Sequence, residues 1–304
     1  MGSKSQPVVT IAVVTYKKRL HALQKMLRFL ALTSSEYNGN IKLLVANNSG
    51  FEYHEPVNSI LTNSNLDEDI PWRIIDCEEN NIAIARNAIL DNAGTDWLAF
   101  IDDDEYPSAL WLNALVEAAR KYQAPLVAGP IIPIFPKNTV YWVTKMDLHN
   151  AHQLKGGSKL AYAASGNILI HLPSTNGARF DPEFGRSGGE DTEYFLRLTS
   201  GPGTLEMVWA EDAIVYEDIP DARSTTKYNI MRCLSQGGNF RRTMFKTGKV
   251  KNIPLFYAKA ITVGIISLVI AVPLALVKHN AVGKWMKRAF SNFGKLYNST
   301  EHPY

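Results

Sequence analysis

Three consecutive carboxylates, Asp102-Asp103-Asp104, close the apolar run Trp97-Leu98-Ala99-Phe100-Ile101. Such a run reads as a buried strand, and adjacent acids at its carboxyl end repel one another unless a counter-charge is supplied. A divalent cation supplies one: hard carboxylate oxygens suit Mg²⁺ or Mn²⁺, which keep waters and bind substrate phosphates. In open α/β sheets, ligands gather beyond the carboxyl ends of strands, where these acids fall. For an isolated triplet, the alternative is a solvated acidic turn. A second acidic pair, Glu190-Asp191, follows Gly188-Gly189 and opens an amphipathic stretch with Tyr194, Phe195 and Leu198. Acids in a first helical turn are common caps. An acid beside another acid in a shielded pocket is also a proton acceptor, because its pKa rises.

These residues need a scaffold, and the first half of the chain reads as one. Apolar strands are expected over residues 8–14, 41–46, 72–77, 97–101 and 126–128, with helices over 17–32, 81–93 and 109–122. Strand alternating with helix implies βαβ units and a parallel sheet covered on both faces. The G-x-G-x-x-G fingerprint is missing, which excludes a dinucleotide oxidoreductase of the usual kind. From Gly129 onward Gly and Pro become frequent, and Tyr141, Trp142 and His149 fall in expected loops. Two further strands, over 166–170 and 213–216, flank the Glu190-Asp191 segment.

The chain has 304 residues, 46% of them hydrophobic, enough for one large core or a core with an appendage. Cys77 and Cys233 are the two cysteines and stand in no metal-binding or redox spacing, so a reducing compartment is expected. Residues 1–7 read as a short disordered start and not as a signal peptide. The net charge of +3 says little; its distribution says more, since all the acids but Asp221 and Glu301 lie in the first 220 residues and the last 80 are basic.

Taken in order, Val13-Val14-Thr15-Tyr16-Lys17, Asn47-Asn48-Ser49, residues 80–87 (NNIAIARN), Ile101-Asp102-Asp103-Asp104, Ser165-Gly166-Asn167, Gly188-Gly189-Glu190-Asp191 and Val215-Tyr216-Glu217 form a recognisable series. The chain resembles family 2 glycosyltransferases of the GT-A fold, most closely the bacterial exopolysaccharide branch of succinoglycan type. The resemblance covers residues 8–245, divided into a nucleotide-sugar half (8–128) and an acceptor half (129–245). It implies an α/β fold with a Rossmann-like mixed sheet and helices on both faces, followed by membrane-associated helices over 246–304.

The resemblance also implies roles. Asp104 would be a metal ligand, Asp102 would face the donor ribose and metal-bound water, and Asp103 would share either task. Extended-chain alternation would aim Asp102 and Asp104 the same way. Thr15 and Tyr16 would line the nucleobase pocket, with Asn47 or Asn48 near base or ribose. Many relatives carry Asp at that second-strand position, so the nucleotide stays open. Arg86 would approach the donor nucleotide or diphosphate; the alternative is an ion pair with Asp91 or Asp76. Asp191, beside Glu190, would be the general base of a single displacement, which predicts inversion. Glu217 stands where several relatives supply a metal-binding His, and is either a ligand or a surface residue beside Asp218. Asn229, Arg232 and Cys233 have the spacing of the processive synthases' Q-x-x-R-W with two departures, which points to addition of one sugar, with Arg232 on the donor side. Residues 236–239 (QGGN) read as a flexible loop closing over the diphosphate.

Residues 260–277 carry no charge and are interrupted by Gly264 and Pro273, at the lower limit for a spanning helix of ~20 residues. Basic residues flank both sides, which favours an in-plane or re-entrant helix pair bent near Pro273 over one clean span. Trp285, Phe290, Phe293 and Tyr297 among Lys and Arg would make an interfacial helix. The expectation is thus a metal-dependent (Mn²⁺ or Mg²⁺) inverting enzyme at the cytoplasmic face of the inner membrane. It would use a nucleotide-sugar donor, with UDP expected, and a polyprenyl-diphosphate-linked or other saccharide acceptor, and would engage no nucleic acid. The alternatives are a sugar-nucleotide nucleotidyltransferase, whose Gly-rich basic loop Thr15-Tyr16-Lys17-Lys18 lacks, and a catalytically dead carbohydrate-binding relative.

Overall fold

The computed structural model describes residues 6–148 and 154–296 apart from Asn65, Glu68 and Pro202. The start of the expected disordered segment (residues 1–5), His149 and Tyr297 lie outside the described residues. The elements run β1 (Val9–Thr15), α1 (Leu20–Glu36), β2 (Ile41–Asn47), α2 (His54–Thr62), β3 (Trp72–Asp76), α3 (Ile82–Asn92), β4 (Trp97–Ile101), β5 (Glu105–Pro107), α4 (Trp111–Tyr122), β6 (Leu126–Ala128) and β7 (Ile131–Ile134). They continue with β8 (Asn167–His171), α5 (Glu190–Leu198), β9 (Met207–Trp209), β10 (Val215–Asp218), α6 (Thr226–Lys246), α7 (Ile253–Leu276) and α8 (Val282–Gly294).

Among the described residues, seven strands form one sheet in the order β3-β2-β1-β4-β8-β6-β9. The first four strands are parallel, while β8 runs antiparallel to both β4 and β6, so the sheet is mixed. Strand alternation sends Ile11, Val13, Leu43 and Val45 to one face, under α1, α2 and α4. Ala12, Leu44, Leu98 and Phe100 go to the other, against α3 and α5. Both faces are therefore buried, which is why these strands read as continuous apolar runs. A small second sheet, β5-β10-β7, stands beyond the carboxyl end of β4 and holds Glu105 opposite Glu217.

Several expectations are corrected. No helix is expected between the strands over 41–46 and 72–77, yet α2 forms there because Val57 and Leu61, one turn apart, are buried against the core. Residues 236–239 are not a loop: Gly237, Gly238 and Asn239 are buried inside α6. A Cβ at Gly237 would stand 2.1 Å from the Ser291 carbonyl oxygen, so the glycine serves close packing of α6 on α8. Helix α7 does not bend away at Pro273 but continues to Leu276; a proline in the last turn removes one backbone donor and little else. Phe290 and Phe293 of α8 face inward, Phe290 onto the Met146–Leu148–Cys233 cluster and Phe293 onto Gly264 of α7. The exposed apolar face belongs to α7.

Candidate active site

The strand ends assemble the site. Beyond β4 the chain does not stay extended: the Glu105 N–H donates to the Asp102 carbonyl (3.1 Å), closing a turn over the three aspartates. Even so, Asp103 alone turns inward, while Asp102 and Asp104 stay together on the open side. Asp103 points inward and is 1% exposed. Its carboxylate accepts from the Thr15 hydroxyl (2.9 Å), the Tyr16 N–H (3.3 Å) and Arg19 (3.1 Å). Asp103 therefore ties β4 to β1 and is not free for metal or ribose, and the Thr15 hydroxyl is committed to the same tie. Burial, only partly offset by Arg19, pushes the Asp103 carboxyl up to about 7.

Asp102 and Asp104 form the open rim. The Asp102 side chain is 38% exposed and lies 3.6 Å from Arg86. Asp104 contacts Arg19 at 3.0 Å and Arg223 at 3.1 Å. Arg223 also reaches Glu217 at 3.1 Å, which settles Glu217 as a buried member of this cluster and not a surface acid. Glu105, which the sequence reading passed over, is buried among Asp102, Asp104 and Glu217, and burial with these acids holds its carboxyl well above the usual range. Burial, Asp104 and Glu217 also raise Asp102, against the opposing pull of Arg86 and Arg19. A Cβ at Gly166 would stand 2.5 Å from Glu105, so the Ser165-Gly166-Asn167 segment packs directly on this acid.

Arg86 joins the two acidic groups. It is 3% exposed on α3, and its guanidinium binds Glu190 while facing Asp102. It pairs with neither Asp91 nor Asp76: Asp91 holds Arg179, and Asp76 holds Asn47 and His54. Burial pulls Arg86 down, but Glu190, Asp102 and Asp191 overturn that and leave it raised, hence charged. The approach of α3 is fixed by Asn81, which caps Ala83 and Ile84 and donates its own N–H to the Asn48 side chain (3.0 Å). Asn48 is thus a strut between β2 and α3. Asn47 is likewise spent, donating to Gly50 (2.9 Å) and to Asp76 (2.7 Å). The carboxylate at this edge is therefore Asp76 on β3, held also by His54 on α2 at 2.6 Å.

Glu190 and Asp191 open α5, as expected. Glu190 is buried on Arg86. Asp191 accepts from the Thr192 N–H (2.6 Å), and burial with the adjacent Glu190 pushes its carboxyl up to about 6. Gly188 and Gly189 have φ of 79° and 89°, a conformation glycine adopts without strain. A Cβ at Gly189 would stand 2.9 Å from that of Asn239, so this glycine accommodates α6. From α6, Asn239 donates to the Ser187 carbonyl (3.1 Å) and Arg242 to the Ser187 hydroxyl (2.6 Å), clamping the loop that carries the pair. Arg232 donates to the Leu148 carbonyl at 3.5 Å, whereas Arg19, Arg86 and Arg223 contact the strand-end acids. Nothing in the motif spacing marks Arg19, whose partners are reached only through the fold, and Glu105, though next to Asp104 in the chain, gains Glu217 only through the pairing of β5 with β10.

Among the described residues no three His, Cys, Asp or Glu side chains converge as a ready-made metal cage. The donor set nevertheless suits a hard divalent cation completed by substrate oxygens: Asp102 is 38% exposed, Asp104 reaches the rim between Arg19 and Arg223, and burial together with neighbouring acids raises Asp102 and Glu105. With Arg86 the rim can receive an anionic leaving group, and Asp191 can take a proton near neutral pH.

Known proteins resemble this chain in sequence and in fold. A family model described as Glycosyl transferase family 2 matches residues 10–181. The chain is 31% identical over 240 residues to the succinoglycan biosynthesis protein ExoM of Rhizobium meliloti (strain 1021), covering 78% of this chain and 75% of that one. The S. aureus TarS 1-349 crystal structure superposes with a TM-score of 0.52 at 12% identity, over 95% of this chain and 90% of that one. TarS 1-349 in complex with UDP-GlcNAc matches at 0.52 and 11%. At such identities these matches speak for the fold, a GT-A architecture.

Proposed function

The chain belongs to glycosyl transferase family 2, and on that premise we propose that it moves a single hexose from a UDP-sugar to a saccharide acceptor, with inversion, in surface polysaccharide assembly. The observation that carries the reading is Arg86, whose one buried guanidinium contacts both Asp102 at the strand-end acids and Glu190 beside Asp191. A donor diphosphate and an acceptor hydroxyl would thus meet across a few ångströms of fixed charge.

In the step, the Asp191 carboxylate takes the proton of the acceptor hydroxyl as its oxygen bonds to the anomeric carbon. The carbon–oxygen bond to the diphosphate breaks, and the nucleoside diphosphate leaves with the electron pair. Arg86 stays charged and lies where the departing negative charge develops. Glu190 holds Arg86 in place and, through its own charge, raises the affinity of Asp191 for the proton. Asp104 and Asp102 would hold Mn²⁺ or Mg²⁺, which supplies Lewis-acid neutralisation of the diphosphate.

The UDP-GlcNAc complex of the structural relative and the succinoglycan role of the sequence relative support a UDP-sugar donor and a polysaccharide product. The exposed apolar helix α7 supports attachment to a membrane; the acceptor proposed with it is lipid-linked, of polyprenyl-diphosphate type, and met at the cytoplasmic face of the inner membrane. A panel of UDP-sugars and GDP-mannose, assayed for nucleoside diphosphate release with Mn²⁺ and a membrane lipid extract, tests it. One UDP-hexose is expected to be consumed by the wild type and spared by Asp191→Asn. Release from none of them, or equal release by both proteins, defeats the proposal.

A further inference from the structure

Helix α7 has two unlike faces. Ala260, Gly264, Ser267 and Ala271 are buried and recur at helical spacing. On the opposite side Ile261, Ile265, Val269, Val272 and Leu276 form a stripe of exposed branched side chains, with Val269 67% and Leu276 81% exposed. A monomer in water rarely leaves so continuous an apolar patch uncovered. The mean hydropathy of the helix, 2.2, would pass for a membrane span, yet only 22% of its apolar window is buried, so it is not a core helix.

Both ends of α7 are fastened to the same body. At its amino end Phe256 and Tyr257 lie against Phe245 of α6, with ring centroids 5.5 and 6.2 Å away. At its carboxyl end the connection to α8 is held by a hydrogen bond between Tyr141 and Asn280. There α8 begins in contact with the catalytic domain: a Cβ at Gly283 would stand 1.9 Å from the Lys145 carbonyl carbon. Farther along, Gly294 of α8 packs on the Leu234 backbone of α6, and Phe293 covers Gly264 in mid-α7. A crossing helix must put its ends on opposite sides of ~30 Å of hydrocarbon. Twenty-four residues reach about 36 Å, but here that length lies along α8, and its two ends are pinned to the same catalytic domain.

Charge selects the occupant of the free face. Between Asp221 and Glu301 the sequence has no Asp or Glu and 14 Lys or Arg. Lys249, Lys251, Lys259, Lys278, Lys284 and Arg288 are exposed on or beside the helix pair. A second copy would bring like charge against like; an anionic lipid leaflet brings the complement.

We infer that α7 is a one-leaflet docking helix: it lies in the plane of an anionic membrane surface, apolar stripe in the acyl boundary and lysine rim at the headgroups, without crossing. This deepens the membrane part of the function proposed above and is independent of its donor chemistry. Flotation with phosphatidylcholine vesicles, with and without phosphatidylglycerol, is the first test. The full chain is expected to float with the anionic vesicles and remain in the dense fraction with the neutral ones. Ile265→Glu/Val269→Glu is expected to reduce flotation at least tenfold while UDP release to water and the melting temperature stay unchanged. Lys278→Glu/Lys284→Glu, which spares the apolar stripe, should lose flotation as well. For sidedness, Lys251→Cys and His279→Cys at the two ends of α7 are labelled with an impermeant maleimide, the native Cys77 and Cys233 being buried. Both should label in inverted membrane vesicles and neither in spheroplasts. Labelling of one end from each side, undiminished flotation of both charged variants, or a dimer that the Ile265→Glu/Val269→Glu change dissolves in a protein that does not float, overturns the inference. A protein that floats as expected but releases no UDP defeats the donor reading alone.

Discussion

Asp191 owes its proton affinity to neighbours of opposite effect: burial and the Glu190 carboxylate raise it to about 6, and Arg86 pulls it back. As a base it works only ionised, so kcat/KM is expected to climb with pH through about 6 and level off above. Glu190→Gln removes the raising charge and leaves Arg86, so the midpoint of that limb should move to lower pH; an upward move would contradict the assignment. Asp191→Asn should cut turnover by about 10²–10⁴-fold. The same substitution has a stability signature. A carboxyl whose folded pKa lies above the ordinary ~4 favours folding most below that value and progressively less as pH rises through about 6. Asp191→Asn should therefore raise the melting temperature at pH 8 and change it little at pH 4. A lower melting temperature at pH 8 would mean that Asp191 is mainly a cap for α5.

The helices and strands show what the residues alone convey. β1, β2 and β4 were legible because strands buried on both faces are apolar without interruption. α3 was legible as a helical stretch over 81–93, and α5 from its glycines and acids. α2 was hidden because its signal is Val57 and Leu61 alone among polar neighbours, and only the core they fill makes them decisive. The three-residue strand β9 carries too little pattern to register. Gly237-Gly238 looked like a loop because glycine's usual reason is flexibility; here the reason is the α8 backbone on the other side. Gly237→Val would drive its side chain into the Ser291 carbonyl, 2.1 Å from the first carbon, and the Gly294 backbone, 2.9 Å away. Overpacking of this kind costs about 1–3 kcal/mol, read as a lower denaturation midpoint. An unchanged midpoint would show that α8 does not depend on this contact.

At the scale of the molecule, acid and base are segregated: the carboxylates converge at the strand ends, and the chain beyond Asp221 is basic until Glu301. The acidic triplet and the Glu190-Asp191 pair were legible as a site, while the distribution of labour within it was not. Asp103, Asn47 and Asn48 proved to be braces, and Arg19 and Arg223 joined from segments whose proximity is a product of the sheet order. The account rests on a nucleoside diphosphate binding at the Asp102–Asp104 rim, separately from proton transfer at Asp191. Isothermal titration of UDP in the presence of Mn²⁺ into the wild type, Asp104→Asn and Asp191→Asn separates the two. Wild type and Asp191→Asn are expected to bind alike, and Asp104→Asn at least tenfold more weakly. Equal binding by all three, or none by the wild type, would contradict it.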